Sequence, residues 1–284
     1  MHRINLLIFG LTVSVLNSTL FALSYTTFIW NDINTREVVR WEGDTAVVKQ
    51  GSVMQELVCK IKIDPDEVKR AMDSFGVPKS WTTFTYTDEK DLAQKQQQLQ
   101  IKAQEHGISM LQKGNQFTVD YNWVTSQNKQ ALTKIAKRIR STARRNGYRS
   151  KRELIGAFTS FVQSMPYKVP PDSRINNEGE QILTAGAMMP LDTLAHGWGD
   201  CDSKSMLFAA LVQNIGLVDV SFIVMEEHLF AAVQIRPEQN ERAIRYKNKD
   251  WVLIELTDSW PIGRIPTDRQ NAVNVGNYKV VELR

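Results

Sequence analysis

Hydrophobic positions along this chain change period several times, and each change marks an element. Leu57, Cys59, Ile61 and Ile63 alternate with mostly polar neighbours, which predicts a strand with Cys59 on its inner face. Residues 38–41 and 45–48 read as two further strands, with Gly43-Asp44 and Gly51-Ser52 as turns. Asp64-Pro65-Asp66-Glu67 opens a short helix that ends near Gly76. Residues 88–106 are polar and rich in Gln, with Leu92, Leu99 and Ala103 at helical spacing and Gly107 as the C-cap. Residues 108–111 and 117–121 flank Lys113-Gly114-Asn115 as a hairpin.

Beyond Tyr121 the helical period is stronger. Leu132, Ile135, Ala136 and Ile139 give an amphipathic helix over 126–145, stopped by Asn146-Gly147. Ser150-Lys151-Arg152-Glu153 has the form of a capping box, followed by Leu154, Ile155, Phe158, Phe161 and Val162 on one face. That helix ends at Met165-Pro166-Tyr167, and a loop rich in Pro, Asn and Gly runs on to about Gly186. Gly197-Trp198-Gly199-Asp200-Cys201-Asp202 is a tight turn before a helix over 203–215. Residues 218–224, 229–235 and 251–256 are strand-like, with a charged connection at 242–250. Together these elements predict an α+β chain in three parts. They are an N-terminal segment (1–24), a small mixed region (25–120) and a larger domain (121–284).

The N-terminal segment has the form of an export signal. His2 and Arg3 supply positive charge, an apolar run spans 6–16, and Ala22-Leu23-Ser24 offers a cleavage site after Ser24. An uncleaved anchor over 4–30 is the alternative. Both place the remainder outside the cytoplasm: periplasmic, free or held at the inner membrane. The 284 residues carry a net charge of +4, with 42% hydrophobic and 23% charged positions, which excludes a disordered chain. The charge is uneven. From Lys129 to Arg152 there is no acidic residue, so the helix and its flank, Lys134 to Arg152 above all, read as a solvated face or as a docking surface for an acidic or anionic envelope partner. No nucleic-acid partner is expected.

Only Cys201 of the two cysteines has a reactive setting. It follows a Gly-Asp turn and precedes a helix, where free N–H groups and the helix dipole favour a thiolate. A cysteine nucleophile needs a base and a group that orients the base. Of the four histidines, His228 stands just before one strand and Asp258 just after the next, so adjacent antiparallel strands bring them together. His196 competes as base but lies too near Cys201 in the chain. The Cys201 N–H is the natural first oxyanion donor, and Gln163, Tyr167 or Trp198 the second. Two distant cysteines give no zinc spacing, and Gly197-Trp198-Gly199 lacks the lysine of a phosphate loop, so no cofactor is expected.

The motif Gly199-Asp200-Cys201-Asp202-Ser203-Lys204 with Ala209-Ala210-Leu211 resembles the cysteine block of transglutaminase-like domains. Phe161-Val162-Gln163-Ser164-Met165-Pro166-Tyr167 and Pro190-Leu191-Asp192-Thr193-Leu194 are similar to its upstream segments. The His228 strand and Trp251-Val252-Leu253-Ile254-Glu255-Leu256-Thr257-Asp258 follow its histidine and aspartate blocks in order. His228-Leu229-Phe230 departs from the usual His-Ala-Trp. The resemblance covers residues 121–265. It implies a papain-like core, with a nucleophile helix packed on an antiparallel sheet. Cys201 is then nucleophile, His228 base and acid, and Asp258 orients His228. The implied activity is that of an exported cysteine peptidase or amidase acting on protein or peptide amides. A cross-linking transglutaminase and a non-catalytic envelope module are the alternatives.

Overall fold

The computed structural model describes residues 2–5, 24–35, 38–42, 45–48, 55–110 and 116–284. The apolar run of the expected export signal lies outside the described residues. Among the described residues no helix is long and apolar enough to cross a membrane.

The N-terminal region begins with β1 (His2–Asn5) and β2 (Ser24–Asp32), then β3 (Val38–Glu42), β4 (Thr45–Val48) and β5 (Gln55–Ile63). β2 pairs antiparallel with β5, which places Phe28-Ile29-Trp30 in a strand. Alternation in β5 buries Leu57, Cys59 and Ile61, as the two-residue period requires. Helix α1 (Pro65–Ser74) starts with proline at its first position, and Asp64 caps it by accepting the Asp66 N–H at 3.0 Å. Strand β6 (Val77–Pro78), strand β7 (Thr83–Tyr86), helix α2 (Glu89–Glu105) and the hairpin β8 (Ile108–Met110) with β9 (Phe117–Val119) follow.

Where one helix is expected over 126–145, two occur. Helix α3 (Tyr121–Ser126) and helix α4 (Lys129–Arg145) are separated by Asn128 at φ +51. Asparagine tolerates this left-handed backbone, and the helix restarts at Lys129. Helix α5 (Lys151–Gln163) has the full capping box between Ser150 and Glu153. The expected loop after α5 contains β10 (Ser173–Ile175) and β11 (Gln181–Leu183). Helix α6 (Pro190–His196) precedes α7 (Cys201–Gln213). The charged connection at 242–250 is a hairpin: β14 (Ala243–Tyr246) folds onto β15 (Lys249–Ile254) with Lys247 and Asn248 both at positive φ. With β12 (Val220–Met225), β13 (His228–Val233) and the C-terminal β16 (Lys279–Glu282), these strands form a five-stranded antiparallel sheet of order β14-β15-β13-β12-β16. Helix α8 (Thr267–Asn274) lies just before β16.

Both faces of this sheet are covered. Phe222, Leu229, Ala231, Val252 and Ile254 join the main core with α5 and α7, while Ile223, Phe230, Leu253 and Trp251 pack with Ile265 and Val273. The main core continues through Trp30, Leu57 and Ile61, so the expected boundary near Tyr121 does not interrupt it. Trp30 meets Phe161 of α5 edge-on, and the Ser160 hydroxyl donates to the buried Asp32 carboxylate at 2.8 Å. The N-terminal strands thus brace the helix that leads into the site.

Candidate active site

Cys201 opens α7 because Asp200 caps the helix, accepting the Ser203 N–H at 2.9 Å. Just before it, Gly199 pairs with the segment after α5. Lys168 N donates to Gly199 O at 3.1 Å and Gly199 N to Pro166 O at 3.3 Å. A Cβ at Gly199 would lie 3.1 Å from both Ser203 and Thr193, so the close packing of this turn needs glycine. A cleft of about 500 Å³ is lined by residues 163–167 and by Thr257 and Asp258.

His228 is fixed by a two-residue turn. Met225 pairs with His228 across Glu226-Glu227, and Glu227 takes φ +60. That backbone is costly for a residue with a side chain, and the tight hairpin imposes it. His228 therefore sits at the first position of β13, one residue from Leu229, whose backbone N–H lies against the Cys201 thiol.

The strand-order argument points to Asp258 as the partner of His228; the structure places Glu255 there instead. His228 Nε2 lies 2.9 Å from Glu255 Oε2, with Glu255 only 1% exposed. Burial pushes the Glu255 carboxyl up, but the hydrogen bond and charge of His228 outweigh it, and the net direction is down. Glu255 Oε1 accepts from the N–H and hydroxyl of Thr257 at 2.7 and 2.6 Å. Asp258 lies beyond the end of β15 in a turn, exposed, with its carboxylate accepting the Ser259 N–H at 2.6 Å. Its role in the structure is that of a turn former on the cleft wall. A signal for Glu255 exists in the sequence: it is the one ionisable residue inside the apolar run Val252-Leu253-Ile254-Glu255-Leu256. A carboxylate at such a position needs a partner.

The thiol departs from expectation. Burial pushes the Cys201 thiol well up, and the nearby carboxylates of Asp202 and Asp200 push it further, against the smaller opposing effect of the Leu229 N–H. The helix start does not offset removal from water beside two acids. Cys201 Sγ lies 3.5 Å from Asp202 Oδ1, and Tyr121 donates to Asp202 Oδ2 at 3.0 Å. Burial also raises the Asp202 and Asp200 carboxyls.

Among the oxyanion candidates, both Gln163 amide hydrogens are engaged, on the carbonyls of Glu255 and Trp260 at 2.7 Å each. Trp198 is stacked under Lys168, whose ammonium lies 4.4 Å from a ring centroid. Tyr167 is half exposed, and burial followed by the charges of Cys201 and Asp200 raises its phenol, which stays a donor. His196 is committed to its own helix: Nδ1 contacts Asp192 one turn back at 2.7 Å, which raises the imidazole. Both cysteines are free, with Cys59 at 1% exposure in the core.

No known family model, no characterised protein and no solved structure matches this chain.

Proposed function

We propose that this chain is an exported, thiol-dependent acyl-transfer enzyme of the transglutaminase-like kind, most simply a cysteine peptidase or amidase on protein or peptide amides. One observation carries the reading. The nucleophile candidate begins a helix beside β13, whose first residue His228 is paired with the buried Glu255 just after β15. Nδ1 of His228 makes no hydrogen bond among the described residues and is the nitrogen for the thiol proton. As substrate binds at Cys201, His228 takes the proton from the thiol, and Glu255 stabilises the imidazolium. Sγ adds to the amide carbonyl. The oxyanion is met by the Cys201 N–H, which has no intrahelical partner at a first helical position, and by the Tyr167 phenol. His228 then protonates the departing amine, leaving a thioester on Cys201. Water in a hydrolase, or an amine in a cross-linking enzyme, cleaves the thioester.

A second reading is a transglutaminase-like binding module without turnover. It is favoured by the raised thiol, which rests neutral. An electrophilic peptide-amide probe at neutral pH separates the two. The enzyme reading expects rapid labelling of Cys201, loss of that labelling in Cys201→Ala and in His228→Ala, and retained circular dichroism in both variants. Labelling of Cys201 no faster than that of the buried Cys59 would sink it.

The charge of α4 supports an anionic partner. Lys129, Lys134, Lys137, Arg138, Arg144 and Arg145 are exposed, and none is paired with a carboxylate among the described residues. We read this face as the part of the molecule that rests on anionic lipid.

A further inference from the structure

Lys204 lies one turn after Cys201 on α7 and is fully buried, at 0% exposure. A lysine ammonium is almost never buried without a purpose that offsets its desolvation. Among the described residues no carboxylate touches it. Its Nζ donates to the carbonyl of Met165 at 2.8 Å and makes a longer contact of 3.5 Å with the carbonyl of Thr257. Those two carbonyls belong to the two separate chain segments that line the cleft. Burial pushes the Lys204 ammonium down to about 8, opposed by the charges of Glu255 and Asp258.

The connections run in a ring. Cys201 and Lys204 share a helix. Lys204 holds Thr257 by its carbonyl; Thr257 holds Glu255 Oε1 by its N–H and hydroxyl; Glu255 Oε2 holds His228. His228 leads into Leu229, which returns to the Cys201 thiol. Gln163 fastens the same ring from α5 through the carbonyls of Glu255 and Trp260. Apart from Cys201 itself, Lys204 is the one side chain of this ring that comes from the nucleophile's helix.

We propose that Lys204 is a positioning residue of this site: from the nucleophile's own helix it ties together the Met165 and Thr257 segments that line the cleft and fixes the Thr257 turn that holds Glu255 against His228. The proposal rests on the enzyme reading above but is tested apart from it. Lys204 touches neither the thiol nor the imidazole, so its effect passes through Thr257 and Glu255.

Two variants and two measurements decide it. Lys204→Met removes charge and donor; Lys204→Gln keeps a donor for the Met165 carbonyl and removes the charge. The first measurement is the imidazole N–H proton of His228 by NMR, which reports its hydrogen bond to Glu255 whether or not the protein turns over substrate. In the wild type this proton is expected downfield and slowly exchanging; in folded Lys204→Met it is expected to be lost to exchange, with Lys204→Gln intermediate. The second is the pH profile of Cys201 labelling by the peptide-amide probe. Wild type is expected to show an inflection near pH 8 that both variants lack, with labelling at pH 7 lowered about 10- to 100-fold in Lys204→Met. An unchanged His228 proton in both folded variants would overturn the proposal, whatever Cys201 does. So would rapid labelling with an unaltered pH profile. Slow wild-type labelling with a His228 proton that still depends on Lys204 would remove the enzyme reading and leave the clamp standing.

Discussion

Replacing Glu255 with Gln, beside the parallel change Asp258→Asn, tests which carboxylate serves His228. Glu255→Gln keeps volume and hydrogen-bonding atoms but removes a buried charge 2.9 Å from Nε2. Imidazolium develops at His228 when the thiol proton is transferred. At an effective dielectric constant near 20, a charge pair at this separation is worth roughly 4–6 kcal/mol. Part of this is already present in the resting hydrogen bond, so about 4 kcal/mol is the loss expected at the transition state, or roughly 10³-fold in rate. Asp258 is exposed and bonds its own neighbour, so Asp258→Asn is expected to stay within about 3-fold. Single-turnover acylation of Cys201 by the peptide-amide probe measures both. Retained acylation in Glu255→Gln together with collapse in Asp258→Asn would refute the assignment and restore Asp258 as the orienting group. The same carboxylate has a signature in stability. Its folded pKa lies below the ordinary Glu value, so its stabilising contribution is present above about pH 4.5 and is lost as pH falls through the depressed value. Urea midpoints of wild type and Glu255→Gln should therefore converge on acidification.

Other outcomes follow from the same contacts. Tyr167→Phe is expected to slow acylation about 10- to 100-fold without moving the urea midpoint, because the phenol is half exposed; an unchanged rate would leave the oxyanion to backbone donors alone. His196→Gln should alter acylation by less than about 3-fold, since its ring is committed to Asp192; a large loss would revive it as the base. Lys204 has a folded pKa of about 8, below its ordinary value, so the unfolded chain binds more protons between about pH 8 and 10.5 and stability rises with pH in that window. Relative to Lys204→Met, wild type should gain about 3 kcal/mol between pH 7 and pH 11 in urea titrations, and parallel curves would contradict a buried ammonium. Reversing three α4 charges, Lys134→Glu, Lys137→Glu and Arg144→Glu, should weaken co-sedimentation with anionic vesicles at least 100-fold and leave neutral vesicles unaffected; equal binding by wild type and variant would remove α4 as the lipid face.

Much of the fold is legible in the chain because its local signals agree with its packing. The alternation that places Cys59 inside, the capping box of Ser150 and Glu153, and the Gly-Asp start of α7 are all set by contacts within a few residues. What the pattern hides depends on distant partners. Lys247 and Asn248 carry no glycine, yet both adopt positive φ because β14 must fold back onto β15 to extend the sheet. Trp30 has no visible partner in the sequence, and Phe161, more than a hundred positions away, receives it. Glu255 and Asp258 differ by three positions, and only the register of β13 on β15, with the turn at Thr257, decides which one reaches His228. The expected low thiol pKa fails for a related reason. The helix start is visible in the motif, whereas the burial of Cys201 beside Asp202 comes from the sheet and from Tyr121 packing over it.

In the proposed enzyme the charges of the site bear on when it reacts. At rest the thiol is neutral, and two raised carboxyls stand beside it. A free thiolate in this setting is opposed by desolvation and by like charge, so an unliganded molecule keeps its nucleophile latent. In the proposed mechanism the positive charge that favours the thiolate is the imidazolium formed at His228 by proton transfer, held against Glu255. Formation of the anion is then tied to the same event that brings a carbonyl to Sγ. In that arrangement the negative charge passes directly onto the oxyanion, where the Cys201 N–H and the Tyr167 phenol can meet it. Alkylation by a small neutral reagent should therefore be slow at neutral pH, while an amide-bearing probe that fills the cleft reacts quickly. A ratio of the two rates near that of an ordinary exposed cysteine would mean that the thiol is not latent and that the acidic surroundings of Cys201 do not govern it.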